Sequence, residues 1–154
     1  MYYSHMNKNS SKTRVNNTSC DHDKVMFLIV QIGHAVERRL EEALEKVGLS
    51  GAKFGALAKL VEADEILALS DLAARLTCVR SNITQLVDRL EADGLVKREE
   101  DPADRRAVRA AITDLGRERY SDGIQQIKNV RISLNDVLSE LNKSTLERVF
   151  TALK

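Results

Sequence analysis

Cysteine is scarce in this sequence. There are two, Cys20 and Cys78, with no CxxC pair and no cysteine–histidine cluster. That argues against a disulfide framework and against a structural zinc site, and it fits a reducing cytoplasm. Proline occurs once, tryptophan is absent and aromatic residues make up 4% of the chain. With leucine, alanine, glutamate and arginine abundant, the composition points to a mainly helical protein. Long apolar runs are missing too: the longest is Val25 to Val30, far too short to span a bilayer, and the first twenty residues lack the apolar core of a secretory signal. Neither sign of charge is in excess, with 24 Lys and Arg against 23 Asp and Glu, a formal net charge of +1. A protein that coats nucleic acid indiscriminately would be strongly basic, so any DNA contact here must come from local placement of charge. There is no nucleophile elbow, glycine-rich phosphate loop or histidine–carboxylate ligand spacing. The expectation is a protein that is not an enzyme and holds neither metal nor cofactor.

What is present is a sequence of amphipathic segments. Residues 1–20 are polar and read as a flexible tail, either a passive extension or a basic arm that touches DNA phosphates. Residues 21–154 are long enough for one domain with its own core. Asp23 to Val47 carries apolar residues at three- and four-residue spacing and ends at Gly48; Ser50 to Ala63 is a second helix. Ser70 is positioned to cap a short helix bearing Leu72, Ala73 and Leu76, and Thr77-Cys78-Val79 is a turn. Arg80 to Asp93 follows with Ile83, Leu86, Val87 and Leu90 on one face, and Gly94 closes it with Leu95 as hydrophobic partner. Leu95 to Glu99 and Ala107 to Ile112 are short enough for strands, around a charged hairpin loop that holds the one proline. Thr113 can cap a long last region, and Ser144-x-x-Glu147 reads as a capping box for a terminal helix with Leu146, Val149, Phe150 and Leu153. A short helix, a turn, a second helix and two strands around a loop form a helix-turn-helix followed by a wing. The terminal helices carry more apolar surface than such a lobe needs, which predicts a two-fold dimer.

At 100° per residue, the side of the Arg80–Asp93 helix opposite its apolar stripe holds Ser81, Gln85, Asp88 and Arg89, with Asn82 and Thr84 on the flanks. Amides suit adenine edges and hydroxyls suit phosphates or bases. Asp88 is charged against DNA; it either orients an arginine, Arg89 or one in the wing, or sits beyond the groove. In the loop, Arg105 and Arg106 stand beside Asp104, with Lys97, Arg98 and Arg109 on the flanking strands. A tip arginine suits a narrow minor groove, and a neighbouring carboxylate would hold it in one orientation. Glu99, Glu100 and Asp101 make an internal ion-pair network the alternative.

Three runs together are specific: Leu69-Ser70-Asp71-Leu72-Ala73-Ala74-Arg75-Leu76; Ile83 through Val96, containing LVDRLEADGLV; and DPADRRAV from Asp101 with ITDLG from Ile112. They closely resemble the MarR family of bacterial transcription regulators, over about a third of the chain. The resemblance implies a mainly α fold with a small β wing, in which a winged helix-turn-helix lobe (51–114) sits on a helical dimerisation platform (21–50 and 115–154). It implies a homodimer on a pseudo-palindromic double-stranded DNA operator, acting as a repressor relieved by a small-molecule effector or by oxidation. Carried over by position, Arg80, Ser81, Asn82, Thr84, Gln85 and Arg89 lie on the DNA-reading helix. Asp104, Arg105 and Arg106 lie on the wing, where Asp104 and Arg106 match the family's Asp-x-Arg element. The chain departs from the family at the turn, where Thr77-Cys78-Val79 stands for the frequent Gly-Val-Ser, which leaves Val79 unable to cap through its side chain.

The family's ligand pockets make His34, Arg38 and Phe54 the sequence-level ligand candidates. Cys20 precedes the first helix, roughly where redox-sensing relatives keep a reactive thiol, but Asp21 and Asp23 oppose a thiolate there. Cys78 reads as a small core residue of the turn. Two rivals to a ligand-released repressor follow: a cysteine-based redox-sensing regulator, and a winged-helix protein-interaction module that does not bind DNA.

Overall fold

The computed structural model describes residues 17–76, 80–100 and 108–153, with the side chains of residues 17–20, Arg80 and Ser81 left out. The Thr77-Cys78-Val79 turn, the loop with Asp104, Arg105 and Arg106, and the first sixteen residues lie outside the described residues. The chain divides into two compact units, one up to Val36 and one from Glu37 onward.

Helix α1 (Asn17–Glu45) begins six residues before the expected start at Asp23. In the first unit its apolar residues Val25 to Val30 are all exposed, between 43% and 65%. Six consecutive residues at 100° spacing reach every side of a helix, so this segment is apolar all round rather than along one stripe.

In the second unit, α2 (Gly51–Ala63) is capped by Ser50, whose Oγ accepts from Lys53 N–H. A strand that sequence did not announce, β1 (Leu67–Ala68), comes next. It leads straight into α3 (Leu69–Arg75), whose N-cap is Ala68, without a side-chain bond; Ser70 Oγ instead faces Asp71. Backbone pairing of β1 fixes where α3 begins, so the serine is not needed as a cap. Helix α4 (Arg80–Ala92) buries Ile83, Val87 and Leu90 completely. Gly94 takes φ +73, its N–H reaches Glu91 O, and Leu95 N–H reaches Leu90 O, the paired bonds of a glycine-terminated helix.

Strands β2 (Val96–Glu100) and β3 (Val108–Ile112) pair antiparallel from Val96↔Ile112 to Glu100↔Val108, and β1 pairs with the other edge of β3. The order is β1-β3-β2. Helix α5 (Asp114–Ser133) starts at Thr113, whose Oγ1 accepts from Gly116 N–H at 3.0 Å and donates to Gly94 O at 2.8 Å. Helices α6 (Asn135–Ser139) and α7 (Lys143–Ala152) complete the unit. The α7 cap is Asn142, which accepts from Thr145 N–H, rather than the expected Ser144; the Ser144 hydroxyl donates to that same Asn142 oxygen. The asparagine lies outside the helix with extended backbone, where its side chain can reach back.

The core draws Leu57 and Leu60 from α2, Leu72 from α3, Ile83, Val87 and Leu90 from α4, and Leu67, Val96 and Ala110 from the three strands. The mainly α architecture with a small β wing is as expected.

Candidate nucleic-acid interface

Helix α4 has two unlike sides. Ile83, Val87 and Leu90 are fully buried, while Asn82, Thr84, Gln85, Asp88 and Arg89 are exposed. The apolar spacing of three and four residues anchors one side in the core and leaves amide, hydroxyl and guanidinium groups on the other. Arg80 and Ser81 belong to the first turn of this helix.

The base of the wing is tied to that helix. Arg98 on β2 places Nη2 at 2.6 Å from Asp88 Oδ1 and Nη1 at 3.5 Å from Glu91 Oε2. Of the two arginines expected for Asp88, the structure pairs it with one on the wing strand and not with Arg89. Glu91 had no assigned role from sequence, because its contact depends on how β2 folds back over the helix. Lys97 and Glu99, two residues apart and so on one side of the strand, pair with each other at 2.6 Å. A further pair, Lys53 with Asp93 at 2.5 Å, joins the start of α2 to the residues just beyond α4.

The ligand candidates fall in different settings. His34 is an exposed residue of the first unit. Arg38 is exposed and faces Glu42 at 3.8 Å. Phe54 is half-buried, stacks on Tyr120 with ring centroids 5.2 Å apart, and packs against the core. An open cleft of about 430 Å³ lies elsewhere in the second unit, lined in part by Lys46, Lys53, Asp93 and Arg119. Among the described residues no helix is long and apolar enough to cross a membrane, and no cluster of acidic, cysteine and histidine side chains could hold a metal ion.

The matching residues narrow what the fold alone leaves open. The model of the MarR family matches residues 47–107, which run from the end of α1 through the wing loop. This stretch of the chain matches the MarR family, and the fold around it is similar to that of MarR-family regulators. YkoM, an uncharacterised HTH-type transcriptional regulator of Bacillus subtilis (strain 168), is 43% identical over 65 residues, a match spanning 42% of this chain and 42% of YkoM. Among solved structures, the MarR-family regulator Sco3205 of Streptomyces coelicolor, in complex with DNA, is similar at TM-score 0.72 and 25% identity, covering 87% of this chain and 84% of Sco3205. CouR of Rhodococcus jostii RHA1, bound to p-coumaroyl-CoA, is similar at TM-score 0.68 and 27% identity, covering 86% of this chain and 90% of CouR.

Proposed function

We propose that this protein is a sequence-specific double-stranded DNA-binding transcription regulator of the MarR family, a cytoplasmic homodimer that represses from a pseudo-palindromic operator and is released by a small-molecule effector. It acts by binding and not by catalysis. The observation that carries this reading is the exposed row Asn82, Thr84, Gln85 and Arg89 on a helix whose opposite side is locked in the core. A helix presented that way fits the major groove, with its N-terminal amides at base edges and Arg89 a turn further along at phosphate. Arg80 and Ser81 belong to the same entry, where the helix N-terminus favours a phosphate. Arg105 and Arg106, with Asp104 beside them, would follow the adjacent minor groove from the wing. That Sco3205 has been seen on DNA supports this use of the lobe, and that CouR binds an acyl-coenzyme A supports an effector.

The dimer rests on apolar surface that the chain leaves uncovered. Neither α6 nor α7 buries a residue, and Leu146, Phe150 and Leu153 are 50%, 62% and 76% exposed. Residues 21–50 and 115–154 form the dimerisation platform in this reading, and 51–114 the DNA lobe. Binding to DNA flanking the protein's own gene, measured by gel shift or anisotropy against a scrambled duplex of equal length, tests the function. Preference for the flanking DNA by about 10³-fold or more is expected. Equal affinity for the two duplexes would overturn it.

A further inference from the structure

We infer that Arg98 is a positioning residue for DNA recognition, and that Asp88 on the DNA-facing side of α4, with Glu91 on its flank, serves to hold Arg98 rather than to meet DNA. The inference rests on the DNA-binding function proposed above.

The geometry is a four-point clasp. Besides Asp88 at 2.6 Å and Glu91 at 3.5 Å, Arg98 Nη2 donates to the backbone carbonyl of Thr84 at 3.3 Å. The backbone N–H of Arg98 donates to the other Glu91 oxygen at 3.2 Å. Residues 84, 88 and 91 are spaced by four and three, so they line one ridge of the helix over two turns. One planar guanidinium, with donors in a fixed fork, can serve all three; a lysine ammonium cannot reproduce that fork. Strand alternation sends Lys97 and Glu99 to the other side of β2, where they pair together, and puts Arg98 on the same side as the buried Val96.

The charge arrangement argues for the same role. A carboxylate on a helix that enters a groove repels phosphate, and α4 carries two near its middle and end. Arg98 offsets part of that charge, and the Asp88 contact at 2.6 Å is a charge-assisted hydrogen bond. With a side chain 29% exposed, Arg98 is turned toward the helix and not extended from the wing.

The consequence concerns the spacing of two reading elements. A helix in the major groove and a loop tip in the minor groove must keep a fixed separation, and a wing that rotates freely must be ordered on every binding event. Strand β2 is paired to β3 through all five of its residues. Holding Arg98 therefore holds both stems from which the segment with Arg105 and Arg106 departs.

The test uses the full-length protein with four variants: Asp88→Ala, Arg98→Met, Arg98→Lys and the double change Asp88→Ala/Arg98→Met. Asp88→Ala puts the best helix former at an exposed helical site, so the variant folds. Its sign is diagnostic. If Asp88 only repels phosphate, removing it tightens operator binding. If it anchors the clasp, removing it weakens binding, by about ten-fold for a residue coupled within one network. The double variant is expected to lose no more than Arg98→Met alone. Arg98→Lys is expected to keep most of the loss, whereas a plain phosphate contact would survive the change to lysine. A tighter Asp88→Ala variant, or full recovery by lysine, overturns the inference while leaving the DNA-binding function standing. Amide exchange of Val96 to Glu100 in the DNA-free protein supplies the second readout. It should speed up in Arg98→Met by about ten-fold. Unchanged exchange overturns the clasp whether or not the wild-type protein prefers operator DNA. Failure of the wild-type protein to prefer that DNA overturns the proposed function separately.

Discussion

The winged lobe and the C-terminal helices of this chain are built from similar residues and come to opposite ends. In the lobe, leucines, isoleucine and valines from α2, α3, α4 and the sheet converge until Leu57, Leu72, Ile83, Val87 and Leu90 have no exposed surface. In α6, α7 and the link between them, Val137, Leu138, Leu141, Leu146 and Phe150 stand between 44% and 63% exposed. Hydrophobic content alone does not make a core; several elements must bring their stripes to one place. The lobe closes on itself within one chain, so its stability is independent of concentration. In the proposed dimer the terminal stripes would be covered by a second copy, and their stability would then scale with protomer concentration.

Truncating one leucine in each region should separate the two most clearly. Leu57→Ala should cost about 2–5 kcal/mol in urea unfolding, as for a large-to-small change at a closed site. Leu153→Ala should change the unfolding of the monomer by less than about 0.5 kcal/mol. Equal losses would mean that both regions belong to one intramolecular core. Next in size, Phe150→Ser should weaken self-association by about 2 kcal/mol, the worth of burying one aromatic side chain, read as a shift in the dimer dissociation constant by sedimentation. The lobe should unfold as before. Third, Gln85→Ala and Arg106→Ala should each cost about 1–3 kcal/mol in operator binding with little change in stability, measured by anisotropy and thermal unfolding. Gln85→Ala should fall mainly on the operator. Arg89→Ala should lower affinity for all DNA and flatten the salt dependence by about one unit. The smallest effect is at the seam after the wing. Thr113→Ala removes the cap of α5 and should cost about 1 kcal/mol in chemical denaturation.

What sequence disclosed follows from how local each signal is. Gly94, Leu95 and Thr113 were readable because their bonds close within a few residues, or onto an adjacent helix end. The apolar spacing of α4 was readable because the helix repeats it. Strand β1 was not: two residues carry no alternation, and its partners Ala110 and Arg109 lie some forty positions on. The Ser70 and Ser144 caps failed for related reasons, since Ala68 was committed by sheet pairing and Asn142 was the better-placed acceptor. At the interface, the polar face of α4 could be read, while Arg98 could not be assigned to Asp88 and Glu91 until the strand was laid across the helix. Phe54 was a ligand candidate by family resemblance; its stacking on Tyr120, and the close approach of Gly123 beside its ring, are tertiary facts that sequence could not supply.

The meeting of α4's end with α5's start has a mechanical meaning. Thr113 N–H donates to Leu95 O at 3.1 Å, its hydroxyl donates to Gly94 O at 2.8 Å, and a Cβ added to Gly116 would fall 2.1 Å from Leu95 O. That joint has no slack. The twenty residues of α5 extend about 30 Å from it at the usual helical rise. They form an arm whose pivot is the foot of α4, the helix proposed to read DNA. A swing of roughly 6° at the pivot carries the far end, near Ser133, about 3 Å over that length. The near half of that arm is braced against α2 by the Phe54–Tyr120 stack and by Gly123 beside the Phe54 ring, so a displacement near Ser133 meets two fixed points, α2 and the Gly94 joint.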